Sequence, residues 1–381
     1  MTENSQNGDG NRQKRAKTYD KIHNWLFVVD IILMLVLLCG MMYGGKTSFS
    51  FWLQDKVSEY TGKNPWAVTA VYMAVIIIGY AIIFLPYSWF KGFFLEHKYE
   101  LSNQTFLKWL WDEVKSLFIT LILAVIVFEI FYAFMRGAGS FWWLWAAVVW
   151  IVLQVVLGML FPVVILPMFY KTTKLDRPDL EEKIDELATN AGVKVLGLFQ
   201  INFSEKTKKA NAALAGLGKT KRILLGDTLL DEFKDAEVIN VLAHEFGHFY
   251  HRHIWKLMGV ASVLAIGGMW LADFILKLSA GMLGIGAEKI SSIATAPLFI
   301  LALSIFGLVT MPLTNIISRY FERQADKYAL VTTKDADSFI SAMERLADQN
   351  LANKEPHPAI EFLLHSHPSI ARRVEFARKY K

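Results

Sequence analysis

Six stretches of this 381-residue chain are apolar for long enough to cross a bilayer, at roughly 25–44, 66–90, 115–136, 142–168, 255–279 and 293–318. A hydrocarbon core about 30 Å thick offers no water to unpaired backbone groups, so such segments are confined to helices. Apolar residues make up 54% of the chain and charged residues 20%, and the mean hydropathy is +0.33, which excludes an ordinary soluble domain. Trp25, Trp66, Trp89, Trp143 and Trp255 flank or enter these stretches, as an interfacial belt requires. The run 142–168 is long for one crossing, so it is expected to tilt or to end in a bent segment from Phe161-Pro162 to Pro167. The run 25–43 is longer than the apolar region of a signal peptide and lacks a small-x-small site after it, so it reads as an uncleaved span.

Lysine and arginine in the connections set the orientation. The tail carries Arg12, Lys14, Arg15, Lys17 and Lys21, and the loop after span two carries Lys91, Lys98, Lys108 and Lys115. Loops 45–65, 137–141 and 280–292 are poorer in basic residues. Six crossings with both termini cytoplasmic satisfy this pattern. The chain then divides into a disordered cytoplasmic tail (1–24), spans one to four with their loops (25–168), a first polar block (169–254), spans five and six (255–318) and a second polar block (319–381). The net charge of +5 belongs to these loops, and no phosphate loop or nucleic-acid signature accompanies it. The single cysteine, Cys39, excludes an internal disulfide and a cysteine-based site.

The first polar block reads as α+β. Pro178–Ala191 has a helical pattern with early acids and Gly192 at its end, 193–201 reads as a strand, and 211–225 reads as a hairpin through Gly218-Lys219-Thr220. Asp235 is expected to N-cap a helix running into His244-Glu245-Phe246-Gly247-His248. In the second block, helices are expected through 317–330, near 336–348 and near 369–380.

Histidines four apart on a helix point the same way, so the His244 and His248 imidazoles can grip one Zn²⁺ while Glu245 sits beside it as a general base. A solvated helix face with two unrelated histidines is the alternative. A third ligand is available in Glu322, because the two spans after His248 return the chain to the same face of the membrane. Asp326, one turn later, can accept the outer N–H of a ligating histidine and fix its tautomer. Taken alone, Glu322 and Asp326 also fit a charged surface at a membrane exit. Two histidines, one glutamate and an open position form a catalytic rather than a structural zinc arrangement, suited to metal-assisted peptide hydrolysis.

With these residues placed, the chain resembles the integral-membrane CAAX prenyl endopeptidases, gluzincin-type zinc metalloproteases with bacterial heat-shock relatives. The likeness covers roughly 90–381. It is carried by Glu96-His97-Lys98-Tyr99-Glu100 through Thr105 with Asp112 and Lys115, by Pro167-Met168-Phe169-Tyr170-Lys171, by Lys209-Ala210-Asn211-Ala212 with Gly216, by Lys221–Leu225 with Asp227–Leu230, and by His365-Ser366-His367-Pro368-Ser369 with Arg373. The resemblance implies that peptide adds as a strand to an edge formed by Asn211, Ala212 and Gly216, where an ordinary hairpin is the alternative. It also implies that His367 and Arg373 stabilise the oxyanion or orient the site, where a His-Pro turn is the alternative for His367. The family's eukaryotic members have seven spans around a large water-filled chamber, and this chain supplies six.

The expected protein is therefore an α-helical integral membrane protein with about six to seven transmembrane helices and a cytoplasmic α+β gluzincin-type zinc metalloprotease domain. It is expected in a bacterial inner membrane, multi-pass, with the active site facing the cytoplasm. Its expected partners are the lipid bilayer and a peptide or protein substrate, either the lipidated C-terminal tail of a protein or a segment of a membrane protein under quality control. The rival of another class is a transport or scaffold protein with a vestigial metal site, using Asp30, Glu129 and Asp273 within the spans. His251 and His253, which follow the motif, read as a basic interfacial cluster before Trp255, with spare ligands as the other reading. Asp273 and Lys277, four apart, are placed to pair.

Overall fold

The computed structural model describes residues 3–192, 197–286 and 289–381. Among the described residues, six helices are long and apolar enough to cross a membrane. The membrane half runs through α1 (Glu3–Met42), the short α2 (Phe49–Tyr60), α3 (Pro65–Trp89), the one-turn α4 (Leu95–Lys98), α5 (Phe106–Gly137), α6 (Trp142–Leu160) and the one-turn α7 (Leu166–Phe169). Asn64 caps α3 by accepting from the Trp66 and Ala67 amides, with Pro65 in the first turn, where its missing N–H costs nothing. The long fourth crossing changes its geometry near the end. Its last turns, Phe161–Ile165, widen to π geometry at Pro162 before α7.

In place of the expected disorder, the described part of the tail 1–24 is ordered. It is helical from Glu3 and continuous with span one. Ala16, Tyr19, Ile22 and Leu26 recur at helical spacing, and this stripe packs on Leu95, Leu101 and Leu351. Asn353 donates to Asp20 at 3.0 Å, and Arg12 donates to the Asp348 carbonyl at 2.7 Å. A composition-based expectation of disorder misses a short apolar stripe that has somewhere to dock.

The protease half begins with β1 (Thr172–Lys174) and α8 (Pro178–Asn190), followed by β2 (Leu198–Ile201), β3 (Ala212–Ala215) and β4 (Arg222–Gly226). The first part of the expected strand 193–201 lies outside the described residues. The sheet order is β1-β2-β4-β3, with β2 parallel to β4 and the other pairs antiparallel, so β3 is an edge. Two helices follow, α9 (Asp227–Glu232) and α10 (Asp235–Tyr250). Lys234, not Asp235, is the N-cap residue of α10; its amide donates to Glu237 at 2.8 Å, while Asp235 accepts from Arg177 at 2.7 Å. Asp235 is the first helical residue, one position past the cap that its sequence context suggests.

Arg252, in the left-handed region at φ 55°, turns the chain from α10 into α11 (His253–Met282). The last span and the expected helix 317–330 are one helix, α12 (Ala296–Thr333). No helix breaker stands between Asn315 and Thr333, so the membrane segment runs straight into the protease half. The chain closes with α13 (Ala336–Gln349), α14 (Pro358–Leu364) and α15 (Ile370–Arg378).

The two polar blocks form one core although α11 and most of α12 separate them in sequence. Val238, Leu242 and Phe246 of α10 are fully buried against Ala325 and Ala329 of α12, with Phe339 of α13 beside them. Each fully buried large apolar side chain contributes about 1.5–3 kcal/mol. The loop 99–105 joins this half, since the Asn103 amide donates to the Lys206 carbonyl at 3.0 Å and the Lys208 amide to the Leu101 carbonyl at 2.9 Å. Within the bundle, Asp273 accepts from Trp142 at 2.7 Å and from Lys277 at 2.6 Å, and Asp30 accepts from Lys91 at 2.6 Å and Tyr87 at 2.7 Å. Two of the three intramembrane carboxylates are thus held by structural partners; one oxygen of Glu129 is buried without a hydrogen-bond partner.

Candidate metal centre

The α10–α12 contact builds the site. Gly247 makes the contact possible: a Cβ at this position would lie 2.9 Å from Ala325 Cα and 3.0 Å from Tyr328 Cβ. Close approach of the two helices brings Glu322 beneath the two histidines. His244 Nε2 lies 3.3 Å from Glu322 Oε2, His248 Nε2 lies 3.3 Å from Glu322 Oε1, and the two Nε2 atoms are 3.1 Å apart. One ligand atom from each of these residues falls within 4.8 Å of the others, the arrangement of a shared cation.

Behind His244, its Nδ1–H donates to Asp326 Oδ1 at 2.8 Å. Arg373 grips the same carboxylate through Nε at 3.0 Å and Nη2 at 2.6 Å, and its Nη2 reaches within 3.3 Å of His244 Nδ1. Arg373 therefore lies on the side of the ring away from Nε2. His244 is buried, and burial alone would lower its pKa; the Asp326 and Glu322 carboxylates outweigh that and raise it to about 9. Burial likewise opposes the Arg373 charge, and Asp326 reverses the effect and raises its pKa. On the open side, His367 brings Nε2 to 3.4 Å from Glu322 Oε1, while its Nδ1 pairs with the Ser366 hydroxyl at 2.9 Å. Glu245 lines the same cleft of about 240 Å³, together with Leu214 of the edge strand.

A metal fits these residues. Glu322 is 5% exposed, yet its Oε2 has no hydrogen-bond partner, and His244 turns Nδ1 to Asp326, so that Nε2 is the nitrogen that faces the other two candidate ligands. A buried carboxylate facing two imidazole nitrogens is costly unless a cation completes the set.

The edge strand lies beside this cleft. The Asn211 carbonyl accepts from the Gly226 amide at 3.0 Å, and Asn350 brackets Ala210, accepting from its amide at 2.8 Å and donating to its carbonyl at 3.1 Å. Ala212 opens β3. Gly216 ends it at φ 94°, where a Cβ would lie 2.4 Å from the Thr220 carbonyl oxygen, so its place in the turn is set by backbone geometry.

The family model described as peptidase family M48 matches residues 174–381, more than half of the chain. The chain belongs to this family. A second family model, described as the CAAX prenyl protease N-terminal domain with five membrane helices, matches residues 6–171. In that segment the M48 chain has four long apolar helices and the short α2. It is 27% identical over 369 residues to the uncharacterized metalloprotease YhfN of Bacillus subtilis, covering 96% of this chain and 85% of the relative. The CAAX prenyl protease 1 homolog of Arabidopsis thaliana is 30% identical over 319 residues (80% and 72%), and CAAX prenyl protease 1 of Saccharomyces cerevisiae is 30% identical over 312 residues (77% and 68%). The crystal structure of S. mikatae Ste24p has the same fold, with a TM-score of 0.82 at 24% identity over 96% of this chain and 88% of that one. This M48 protein is a multi-pass membrane metallopeptidase, and the transport or scaffold reading falls away.

Two residues near the site were not singled out as functional from sequence. His253 is fully buried, with Nδ1 3.1 Å from His248 Nδ1, and Gln324 presents Oε1 at 2.8 Å from His253 Nε2. The signals were a histidine five positions after the motif and a glutamine within Glu322–Asp326.

Proposed function

We propose that this metallopeptidase uses Zn²⁺ held by His244, His248 and Glu322 to cut peptide bonds at the cytoplasmic surface of a bacterial inner membrane. We further propose that its substrates are C-terminal tails carrying a lipid. The observation that carries the substrate reading is an open, apolar cleft of about 740 Å³ bordered by α1, α5, α6, α11 and α12. Phe27, Phe131, Ala261, Leu264, Phe306 and Met311 are among the residues lining it. Met311 belongs to α12, which carries Glu322, and Ala261 to α11, which begins just after the helix that carries His244 and His248. An apolar cleft of this size accommodates a prenyl chain while the attached peptide lies at the interface.

When bound, the metal acidifies a water molecule and polarises the scissile carbonyl. The chain's own residues do the rest. The unpaired edge of β3, from Ala212, holds the peptide by strand addition, following Asn211 and ending at the Gly216 turn. Glu245 takes the proton from the attacking water and returns it to the leaving amine. His367, on the open side beside Glu322, donates to the oxygen that gains negative charge. Arg373 acts through Asp326, keeping the proton of His244 on Nδ1.

Matched peptides, one farnesylated at a cysteine near the C-terminus and one unmodified, test the substrate reading in detergent or nanodiscs. The lipidated peptide is expected to have a kcat/KM higher by about tenfold or more, since even partial burial of a prenyl chain exceeds 1.4 kcal/mol. Equal values for the two peptides would remove the lipid preference and leave segments of membrane proteins as the substrate. Single cysteines introduced into a Cys39→Ser background, probed with an impermeant reagent, test the orientation; labelling of the metal-site side from the periplasm would overturn it.

A further inference from the structure

His248 has a support of its own, distinct from the Asp326–Arg373 pair that serves His244. We propose that His253 and Gln324 act as positioning residues that fix the tautomer and ring orientation of His248, holding its Nε2 toward the metal. The inference rests on reading His244, His248 and Glu322 as metal ligands.

The direction of the chain follows from what each atom can do. The Gln324 Oε1 only accepts, so His253 Nε2 carries the proton and donates to it at 2.8 Å. In a neutral ring this leaves His253 Nδ1 with a lone pair. That lone pair lies 3.1 Å from His248 Nδ1 and accepts the His248 proton. His248 Nε2 is then unprotonated, and it is the atom that faces Glu322 at 3.3 Å and His244 Nε2 at 3.1 Å. Were Gln324 replaced by an apolar residue, His253 would be free to carry its proton on Nδ1, and His248 would be pushed toward the tautomer that cannot coordinate.

Packing holds this relay rigid. His253 is fully buried and stacks on Phe321 with ring centroids 4.3 Å apart and planes inclined by 12°. The left-handed turn at Arg252 starts α11 at His253 and sets the ring behind His248. The contact made by His253 is with Nδ1 of His248, on the edge away from the site, so His253 supports a ligand and does not add one. The two histidines are therefore supported unequally. His244 leans on a carboxylate paired with a guanidinium, and His248 leans on a neutral imidazole and an amide.

The test compares the full-length protein with the variants His253→Leu, His253→Asn, Gln324→Leu and His248→Ala. The readouts are Zn²⁺ affinity by chelator competition and the visible spectrum of the Co²⁺-substituted protein. His253→Leu keeps the volume and loses the acceptor, and is expected to weaken binding by about 10–100-fold and to change the Co²⁺ band. His253→Asn presents an amide oxygen near the Nδ1 position and is expected to recover affinity to within about threefold of wild type. Gln324→Leu leaves His253 in place and is expected to weaken binding by a smaller factor, about 3–10-fold, so the proposal stays testable if His253→Leu does not fold. Wild-type affinity and spectrum in Gln324→Leu, or in a folded His253→Leu, while His248→Ala has lost the metal, would overturn the proposal and leave the ligand reading intact. Retention of metal by His248→Ala would instead overturn the ligand reading, and the relay with it.

Discussion

Replacing Gly247 by alanine tests whether the separation of α10 and α12 sets the metal geometry. The added Cβ would sit 2.9 Å from Ala325 Cα, 3.0 Å from Tyr328 Cβ and 3.1 Å from the Ala325 carbonyl oxygen. Two of these neighbours are backbone atoms, so no side-chain rotation relieves the contact. Ordinary carbon contacts begin near 3.5 Å, so the helices must part by about 0.5 Å or more. Glu322 lies one turn before Ala325 on α12 and moves with it. Metal–ligand distances tolerate about 0.2 Å, so the expected loss in metal affinity is of the order seen on disturbing outer support, about 10–100-fold. Stability changes less. Overpacking costs about 1–3 kcal/mol, and alanine returns up to about 1 kcal/mol of helix propensity over glycine. Metal affinity by chelator competition and thermal unfolding of the metal-free protein measure the two effects separately. Gly259→Ala on α11, where a Cβ meets nothing within 4 Å, is the control. Wild-type metal affinity and activity in Gly247→Ala would refute the argument that this contact positions Glu322.

Asp326→Asn leaves Arg373 buried without its carboxylate and replaces the charged acceptor for His244 by a neutral amide; a loss of about 3–5 kcal/mol in unfolding free energy and about 10–100-fold in metal affinity is expected, measured by denaturant titration and competition. Glu245→Gln is expected to bind metal like the wild type and to lose about 10²–10⁴ in kcat; full turnover would take the proton-transfer role away from Glu245. Gly216→Val forces a β-branched residue to φ 94° with its Cβ 2.4 Å from a carbonyl oxygen, so KM for peptide should rise with little change in metal content, as steady-state kinetics would report. In the metal-free protein, burial opposes the charge on His244, but Asp326 and Glu322 raise its pKa to about 9, so a bound metal must displace a proton at neutral pH. Apparent metal affinity should therefore increase with pH, by about tenfold per unit between about pH 6 and 8, and a flat profile in chelator-buffered titrations would contradict this.

The six long apolar helices were legible because hydropathy over about 20 residues is a local property, and the chain satisfies it without reference to anything else. The edge hairpin was legible in the same way, from Ala212 through Gly218 to Leu225. Glu322 followed from topology, since two intervening crossings return the chain to one face. The features that escaped are those in which a residue acts through a partner distant in sequence. The tail 1–24 has a composition that reads as disordered, yet Tyr19 bonds Glu96 and Arg12 reaches Asp348. His253 looked like part of a basic interfacial cluster, because its proton acceptor, Gln324, is 71 positions away. Gly247 carries no signal of its own inside the motif; its purpose appears only when Ala325 is brought against it.

The continuity of α12 explains why so many of these partners converge. Asn315, Arg319, Glu322 and Asp326 are spaced four, three and four apart, which sets them along one face of a single helix. Asn315 donates to the Leu363 carbonyl at 2.7 Å and Arg319 to the Glu361 carbonyl at 2.9 Å, so this face holds the segment that leads into His367 and Arg373. Glu322 faces both histidines, and Asp326 takes the His244 proton and the Arg373 guanidinium. Gln324, off that face, reaches the start of α11 through His253. Had the helix broken where the span leaves the membrane, near residue 318, each of these contacts would carry the orientational freedom of a separate element. Pro312 has no N–H for the Leu308 carbonyl, but beyond it the helix runs without a further proline to Thr333, so one helical segment fixes the relative positions of Asn315, Arg319, Glu322 and Asp326, and Met311, on the cleft wall, lies just before that segment. At 1.5 Å per residue, Met311 lies about 16 Å along the axis from Glu322. A group lying against Met311 and a peptide at the metal cleft would meet one helix on either side of Pro312, which makes α12 the structural link between the membrane spans and the site.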